Sequence, residues 1–172
     1  MAFQIVFVVE SDKVSKTDYM YIRTILLDYY NVLARKDVRI TSIFMAGKGK
    51  YDQPKVLKDV NKAINAYKVN GDTYVIYCFD TDKYDSSPED AKIIRTEEQF
   101  CKDKGYDFVW FCHDVEEVFL GHSIDSNEKT DAAKKYFAND KHRRIKIDSL
   151  KAKVFGKGKS NLISVLDKYL KK

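Results

Sequence analysis

Glu10, the Asp80-Thr81-Asp82 triplet and the acids Asp114, Glu116 and Glu117 are the residues of this chain best suited to chemistry. Each set falls just after a short apolar run of the kind that makes a buried parallel strand: FQIVFVV before Glu10, TYVIYCF before Asp80 and DFVWFC before His113 and Asp114. A spacing of two lets Asp80 and Asp82 point to the same side while the backbone is still extended, and Glu10 can reach them from a neighbouring strand. Hard oxygen donors gathered this way suit Mg²⁺ or Mn²⁺, because like charges packed together without a cation repel and raise one another's pKa. One such ion could hold and polarise a phosphate and a second could activate the attacking water, as in two-metal phosphodiester hydrolysis. The bland alternative makes the same acids ordinary loop acids and helix caps.

The elements that must position these acids follow from periodicity. Phe3 to Val9 reads as the first strand. Thr17 to Ala34 reads as a helix through Tyr19, Ile22, Ile25, Leu26, Tyr29, Tyr30 and Leu33, with Thr17 or Ser15 placed to cap it. Val38 to Ala46 is the second strand, and the basic loop Gly47 to Gln53 leads to Pro54, which suits the opening of a helix running to Tyr67. Thr73 to Phe79 is the third strand. Ser87-Pro88-Glu89-Asp90 starts a helix that Gly105 ends, Asp107 to Cys112 is the fourth strand, and Asp114 to Ser123 is a short amphipathic helix. Strand and helix alternate, so the expected fold is a doubly wound α/β domain with a mostly parallel sheet of about four strands. Residues 1–127 form the core of that reading. Residues 128–172 form a basic, mainly helical segment packed on the same domain, ending in a helix from Asn161 to Leu170. In an open parallel sheet, ligands collect at the carboxyl ends of the strands, where all three acidic sets fall.

Composition narrows the function classes. At 172 residues with 44% hydrophobic and 33% charged side chains, the chain can bury a two-layer core, and its 7 Gly and 2 Pro exclude collagen-like repeats. No apolar run reaches membrane-spanning length and the amino terminus lacks a signal-peptide pattern, so a cytoplasmic protein is expected. Cys78, Cys101 and Cys112 form no CxxC pair and are expected to be buried and reduced. Charge is asymmetric: residues 1–127 carry 17 basic and 21 acidic side chains, whereas residues 128–172 carry 14 and 5. Such a basic block can track phosphates or simply be solvated.

Glu10 directly after the first strand and Asp80-Thr81-Asp82 directly after the third resemble the Toprim domain of topoisomerases, primases and overcoming-lysogenization-defect nucleases. The closer likeness is to the RloB-like family of small Toprim-related proteins associated with bacterial phage defence. Lys16-Thr17-Asp18-Tyr19 is similar to that family's early acidic loop opening its first helix, and Phe79-Asp80-Thr81-Asp82 to its FDxD strand end. The run from Glu116 to His122 resembles its Glu-aromatic-leucine-His helix, and Gly158-Lys159-Ser160-Asn161 its closing loop. Ser11 stands where the family usually has Gly after the first Glu. The resemblance implies that Glu10 is a general acid or base, that Asp80 and Asp82 are metal ligands, and that Glu116 is a further acid near the metal. Asp85, Asp114 and His122 are possible supporting residues.

The leading expectation is therefore a Mg²⁺- or Mn²⁺-dependent, Toprim-like nuclease acting on DNA or RNA. Lys141, Arg143, Arg144, Lys146, Lys151 and Lys153 would hold the polyanion away from the metal, and the family likeness implies an ATPase partner. The rival is a non-catalytic nucleic-acid-binding or partner-binding module on the same fold. Gly158-Lys159-Ser160 is not a phosphate-binding loop, because Lys153 stands where that pattern demands Gly. Tyr19, Tyr29, Tyr30 and Tyr67 lie at helical spacing and read as core or boundary residues before base-stacking ones.

Overall fold

Alternation along the first strand, β1 (Phe3–Val9), sets the architecture. Successive side chains of a strand point to opposite faces, and here Ile5, Phe7 and Val9 enter one hydrophobic core while Val6 and Val8 enter another. The computed structural model describes residues 2–139 and 144–171. Around β1 lie β2 (Val38–Phe44), β3 (Asp72–Asp80), β4 (Asp107–Cys112) and β5 (Lys159–Ser160), in the order β2-β1-β3-β4-β5. The first four are parallel and β5 is antiparallel to β4. The fold is thus a mixed α/β, mostly parallel sheet with helices on both faces, and the fifth strand corrects the expectation of about four.

The helices divide between the two faces. On the first, α1 (Thr17–Asp28), α4 (Val115–Leu120), α5 (Lys129–Ala138) and α6 (Leu162–Leu170) supply Ile22, Ile25, Val118, Ala133, Ile163 and Leu166 to the larger core. On the second, α2 (Pro54–Tyr67) and α3 (Pro88–Lys104) supply Val56, Val60, Ile94 and Cys101. Both of these helices open on proline, as expected. The Ser87 hydroxyl accepts the Asp90 amide at the start of α3, and Gly105, at φ 69°, ends that helix in the left-handed conformation that costs glycine least. Among the described residues no helix is long and apolar enough to cross a membrane, and all three cysteines are buried and free.

Among the boundaries that differ from the sequence reading, including β2 ending at Phe44 and α4 at Leu120, three have a visible cause. The helix expected to reach Ala34 stops at Asp28, and a short 3-10 turn covers Val32–Ala34 after Asn31 adopts a left-handed conformation. Tyr30 continues the apolar period but is drawn to the last helix, where its hydroxyl donates to Asp167 at 2.8 Å. Neither Thr17 nor Ser15 caps α1: Lys16 is the capping residue, without a side-chain bond, and Ser15 is bound in a turn by the Asp12 carboxylate. Finally, β5 forms in what reads as a loop. Gly158, at φ 67°, donates to the Cys112 carbonyl at 2.8 Å. Asn161 then behaves like an extra strand residue, accepting from the Trp110 amide at 3.0 Å and donating to the Phe108 carbonyl at 2.9 Å.

Candidate metal centre

Sheet order decides where a site can form. With β1 and β3 adjacent and their crossovers running to opposite faces, the chain ends leaving these two strands open a crevice at the topological switch point. Glu10 leaves β1 and Asp80 ends β3, so the two acids expected to cooperate do come to one rim. The strand pairing continues past Asp80: Thr81 donates to the Phe111 carbonyl and Asp82 to the His113 carbonyl, each at 2.9 Å. At the other neighbour, Gly47 donates to the Glu10 carbonyl at 2.9 Å, which ties the basic loop after β2 to the end of β1.

On the face of α1 and α4 the acids crowd. Asp80 accepts the Val115 amide at 3.0 Å through Oδ1, yet burial drives its proton affinity well above the ordinary value, and Asp18, Glu10, Glu116 and Asp114 add to the rise. Burial likewise raises Glu10 well above 4.5, with Asp18, Glu97 and Asp82 adding and Lys48 opposing. Asp18 is raised by burial even though it accepts the Ser11 amide at 3.0 Å. Glu116 is fully buried and raised by burial, with Lys129 opposing. Its Oε2 accepts from Lys129 at 2.9 Å, while Oε1 is enclosed without a hydrogen-bond partner, as is Oε1 of Glu10. Asp114 caps α4 by accepting the Glu117 amide at 2.8 Å.

Across the rim, on the side of α3, Lys48 dominates. Its ammonium is hydrogen-bonded to the Asp82 carboxylate and lies 3.1 Å from Asp90. Glu97 projects from the core-facing stripe of α3 that also carries Ile94 and Cys101, is 1% exposed, and has no partner for either carboxyl oxygen. Burial lifts its pKa to about 8. Next to Asp82 and Lys48, a cleft of about 860 Å³ is lined by Lys83, Asp85, His113, Asp114, Glu117 and Lys157 among others. In it His113 lies between two carboxylates, 2.9 Å from Asp85 and 3.0 Å from Glu117. Burial pulls the imidazole pKa down, but these two acids outweigh it and raise the pKa above 6.5.

The sequence-derived residues therefore separate. Asp80 and Glu116 lie on the α1–α4 side, Glu10 is influenced both by Asp18 of α1 and by Glu97 and Asp82 across the rim, Asp114 lines the cleft, and Asp82 turns to Lys48 and Asp85 to His113. His122 is exposed, with Nδ1 bonded to the Ser123 carbonyl at 3.2 Å. Of the basic residues assigned to nucleic acid, Arg144, Lys146 and Lys153 are exposed, and Lys151 is engaged with Asp167 at 3.1 Å. Lys141 and Arg143 lie outside the described residues. Lys48, Glu97, His113 and Lys129 were given no role in the sequence, and Asp18 entered only within the Lys16-Thr17-Asp18-Tyr19 run of the family likeness. The available signal was a charged residue at a core-facing helical position for Glu97, and a glycine on either side for Lys48.

Two orphaned carboxyl oxygens among mutually repelling acids are the donor chemistry that a hard cation satisfies. Glu10, Asp80 and Glu116 carry oxygen donors of the kind such an ion takes. As placed, no three His, Cys, Asp or Glu side chains among the described residues are arranged to hold a metal ion. Lys48 is paired with Asp82 and Lys129 with Glu116. No family model, no curated protein and no solved structure matches the chain.

Proposed function

We propose that this chain is a Mg²⁺- or Mn²⁺-dependent, Toprim-like nuclease that hydrolyses phosphodiester bonds in DNA or RNA. The observation that carries the reading is the set of desolvated carboxyls at the β1/β3 switch point, with the Oε1 atoms of Glu10 and Glu116 enclosed and unpartnered. Grouping that much negative charge without a counter-ion costs stability, and active sites are where such a cost is commonly retained. Asp80 and Glu10 would hold the ion, with Glu116 beside them and Asp82 joining once released from Lys48. A bound divalent ion supplies charge that polarises a phosphate and acidifies a water. Glu10 would act as the base toward the attacking water. Asp80 is kept in place by the Val115 amide, which leaves its second oxygen for the cation. Lys83 and Lys157 in the cleft, with exposed Arg144, Lys146 and Lys153, bind the polyanion without competing for the metal. The likeness to RloB-like proteins extends the proposal to a cytoplasmic role in phage defence beside an ATPase partner.

A second reading has its own observation. Because Lys48 and Lys129 already neutralise Asp82 and Glu116, the same fold could serve as a nucleic-acid-binding or partner-binding module without catalysis. Incubating the chain with labelled single- and double-stranded DNA and RNA in Mg²⁺ or Mn²⁺, with and without the ATPase partner, separates the two. The nuclease reading expects cleavage that is lost in Asp80→Asn and Glu10→Gln while binding is retained. Binding without cleavage under every one of these conditions supports the module and refutes the nuclease.

A further inference from the structure

We propose that the outward face of α2 is a docking surface for the backbone of double-stranded DNA, with Lys55, Lys58 and Lys62 as its phosphate contacts. The inference rests on the nucleic-acid reading above, and on neither cleavage nor a bound metal.

The charges of α2 run against the electrostatics of a helix. The amino-terminal end of a helix carries partial positive charge and favours acids in the first turn, yet α2 has no acid there and places Lys55 directly after Pro54. Lys58 and Lys62 stand four residues apart, so two charges of one sign lie one above the other, which weakens a helix. On the same face of the sheet, α3 shows the ordinary arrangement, with Glu89 and Asp90 in its first turn and Lys102 and Lys104 in its last. Helix stability therefore gives no reason for the lysines of α2.

Their placement does. At 3.6 residues per turn, Lys55, Lys58, Asn61, Lys62 and Asn65 fall within an arc of about 120°, and all five are exposed. That arc holds no acid and no aromatic residue. Asp59, the one acid of the helix, falls outside it, and Val56, Val60 and Tyr67 turn the opposite side into the protein. Lys48, Lys129, Lys151 and Lys168 are each paired with a carboxylate, whereas among the described residues Lys55, Lys58 and Lys62 have no ion-pair partner. The helix starts after the loop that leaves β2 at the carboxyl rim of the sheet, so Lys55 stands at the rim end and Lys62 about 10 Å further along the axis.

A face of unpaired ammonium groups complements a row of phosphates, and exposed asparagine amides donate to phosphates or to base edges. The partner is a duplex, because a single strand is held by stacking its bases on aromatic rings and this face has none. It is DNA, because the B-form major groove admits a helix whereas the A-form groove of an RNA duplex is too narrow.

Fluorescence anisotropy of a labelled DNA duplex, measured in chelator, tests this without relying on activity. Lys55→Gln/Lys58→Gln/Lys62→Gln is expected to bind at least about tenfold more weakly than wild type at about 100 mM salt, and to lower the slope of log affinity against log salt by about three. Lys92→Gln/Lys102→Gln/Lys104→Gln removes the same charge from α3 and is expected to stay within about twofold of wild type. Glutamine keeps the helix propensity of lysine, and circular dichroism with thermal unfolding establishes that each variant is folded. Equal losses in the two variants, or no loss from the α2 variant, would overturn the inference while leaving the nucleic-acid reading intact. Tighter binding of a single strand or of an RNA duplex of the same sequence would do the same. No binding of any of the three nucleic acids by wild type would overturn both.

Discussion

Replacing Glu97 with glutamine isolates the cost of a buried, unpartnered carboxyl. Burial lifts this group from an ordinary 4.5 to about 8 in the folded chain, with Lys48 opposing the rise and Asp82 adding to it. A carboxyl whose folded pKa is raised is neutral in both states at low pH. Between the two pKa values it is ionised in the unfolded chain alone, so its contribution to stability falls as pH rises across that window. Each tenfold difference in proton affinity is worth about 1.4 kcal/mol, so between pH 4 and pH 7 this group alone lowers stability by about 3 kcal/mol. Above pH 8 the loss levels off near 5 kcal/mol, on the order of a third to a whole of the stability of a typical domain. Glu97→Gln removes this group's pH dependence; Asp18 and Asp80 titrate in both proteins and cancel in the difference, while Glu10, which Glu97 pushes up, shifts down in the variant and adds in the same direction. Urea unfolding of both chains in chelator from pH 4 to pH 9 should show stability curves that diverge in favour of the variant, by about 3 kcal/mol between pH 4 and pH 7. Curves that stay parallel over that range would refute the claim that Glu97 is desolvated and unpaired.

Lys129→Met strips the buried Glu116 carboxylate of its counter-ion and should destabilise the fold by about 3 kcal/mol in thermal or urea unfolding, with much of the loss recovered in the Lys129→Met/Glu116→Gln pair; a single substitution without effect would contradict the pairing seen at 2.9 Å. Asn161→Ala removes both bonds to the β4 edge and should cost about 2 kcal/mol, with faster amide exchange at Trp110 as the local signature. The His113 imidazole, raised by its two carboxylate neighbours, should titrate above 6.5 by NMR, and Asp85→Asn should move the midpoint down. The sign follows: the stability contributed by the imidazolium pairs is present at low pH and is lost as pH rises through the folded pKa.

Much of the frame was legible because β1, β3 and β4 are short apolar runs buried on both faces, and because Pro54, Pro88 and Gly105 mark helix boundaries by their own backbone restrictions. The end of α1 was not legible. Tyr29, Tyr30 and Leu33 continue the helical period, but Tyr30 is placed by a bond to Asp167, a residue far away in sequence. The two-residue β5 carries no apolar pattern of its own and exists through the Gly158 and Asn161 bonds to the β4 edge. The acids followed the same division. Their position at strand ends could be read from the chain, so Glu10 and Asp80 were found together. Their partners could not, because Lys48 and Lys129 reach the site from elements whose placement depends on the order of the strands. Glu97 left a trace in the sequence, a carboxylate in a core-facing register, that apolar periodicity alone passes over.

Calorimetric titration of Mg²⁺ and Mn²⁺ into metal-free wild type and Asp80→Asn bears most directly on whether the carboxyls at the β1/β3 rim form a cation site. The account predicts saturable heat from wild type, accompanied by release of protons to the buffer as the ion displaces them from the rim carboxyls, and no saturable heat from the variant. Equal heats from both proteins, or none from wild type at millimolar ion, would contradict it.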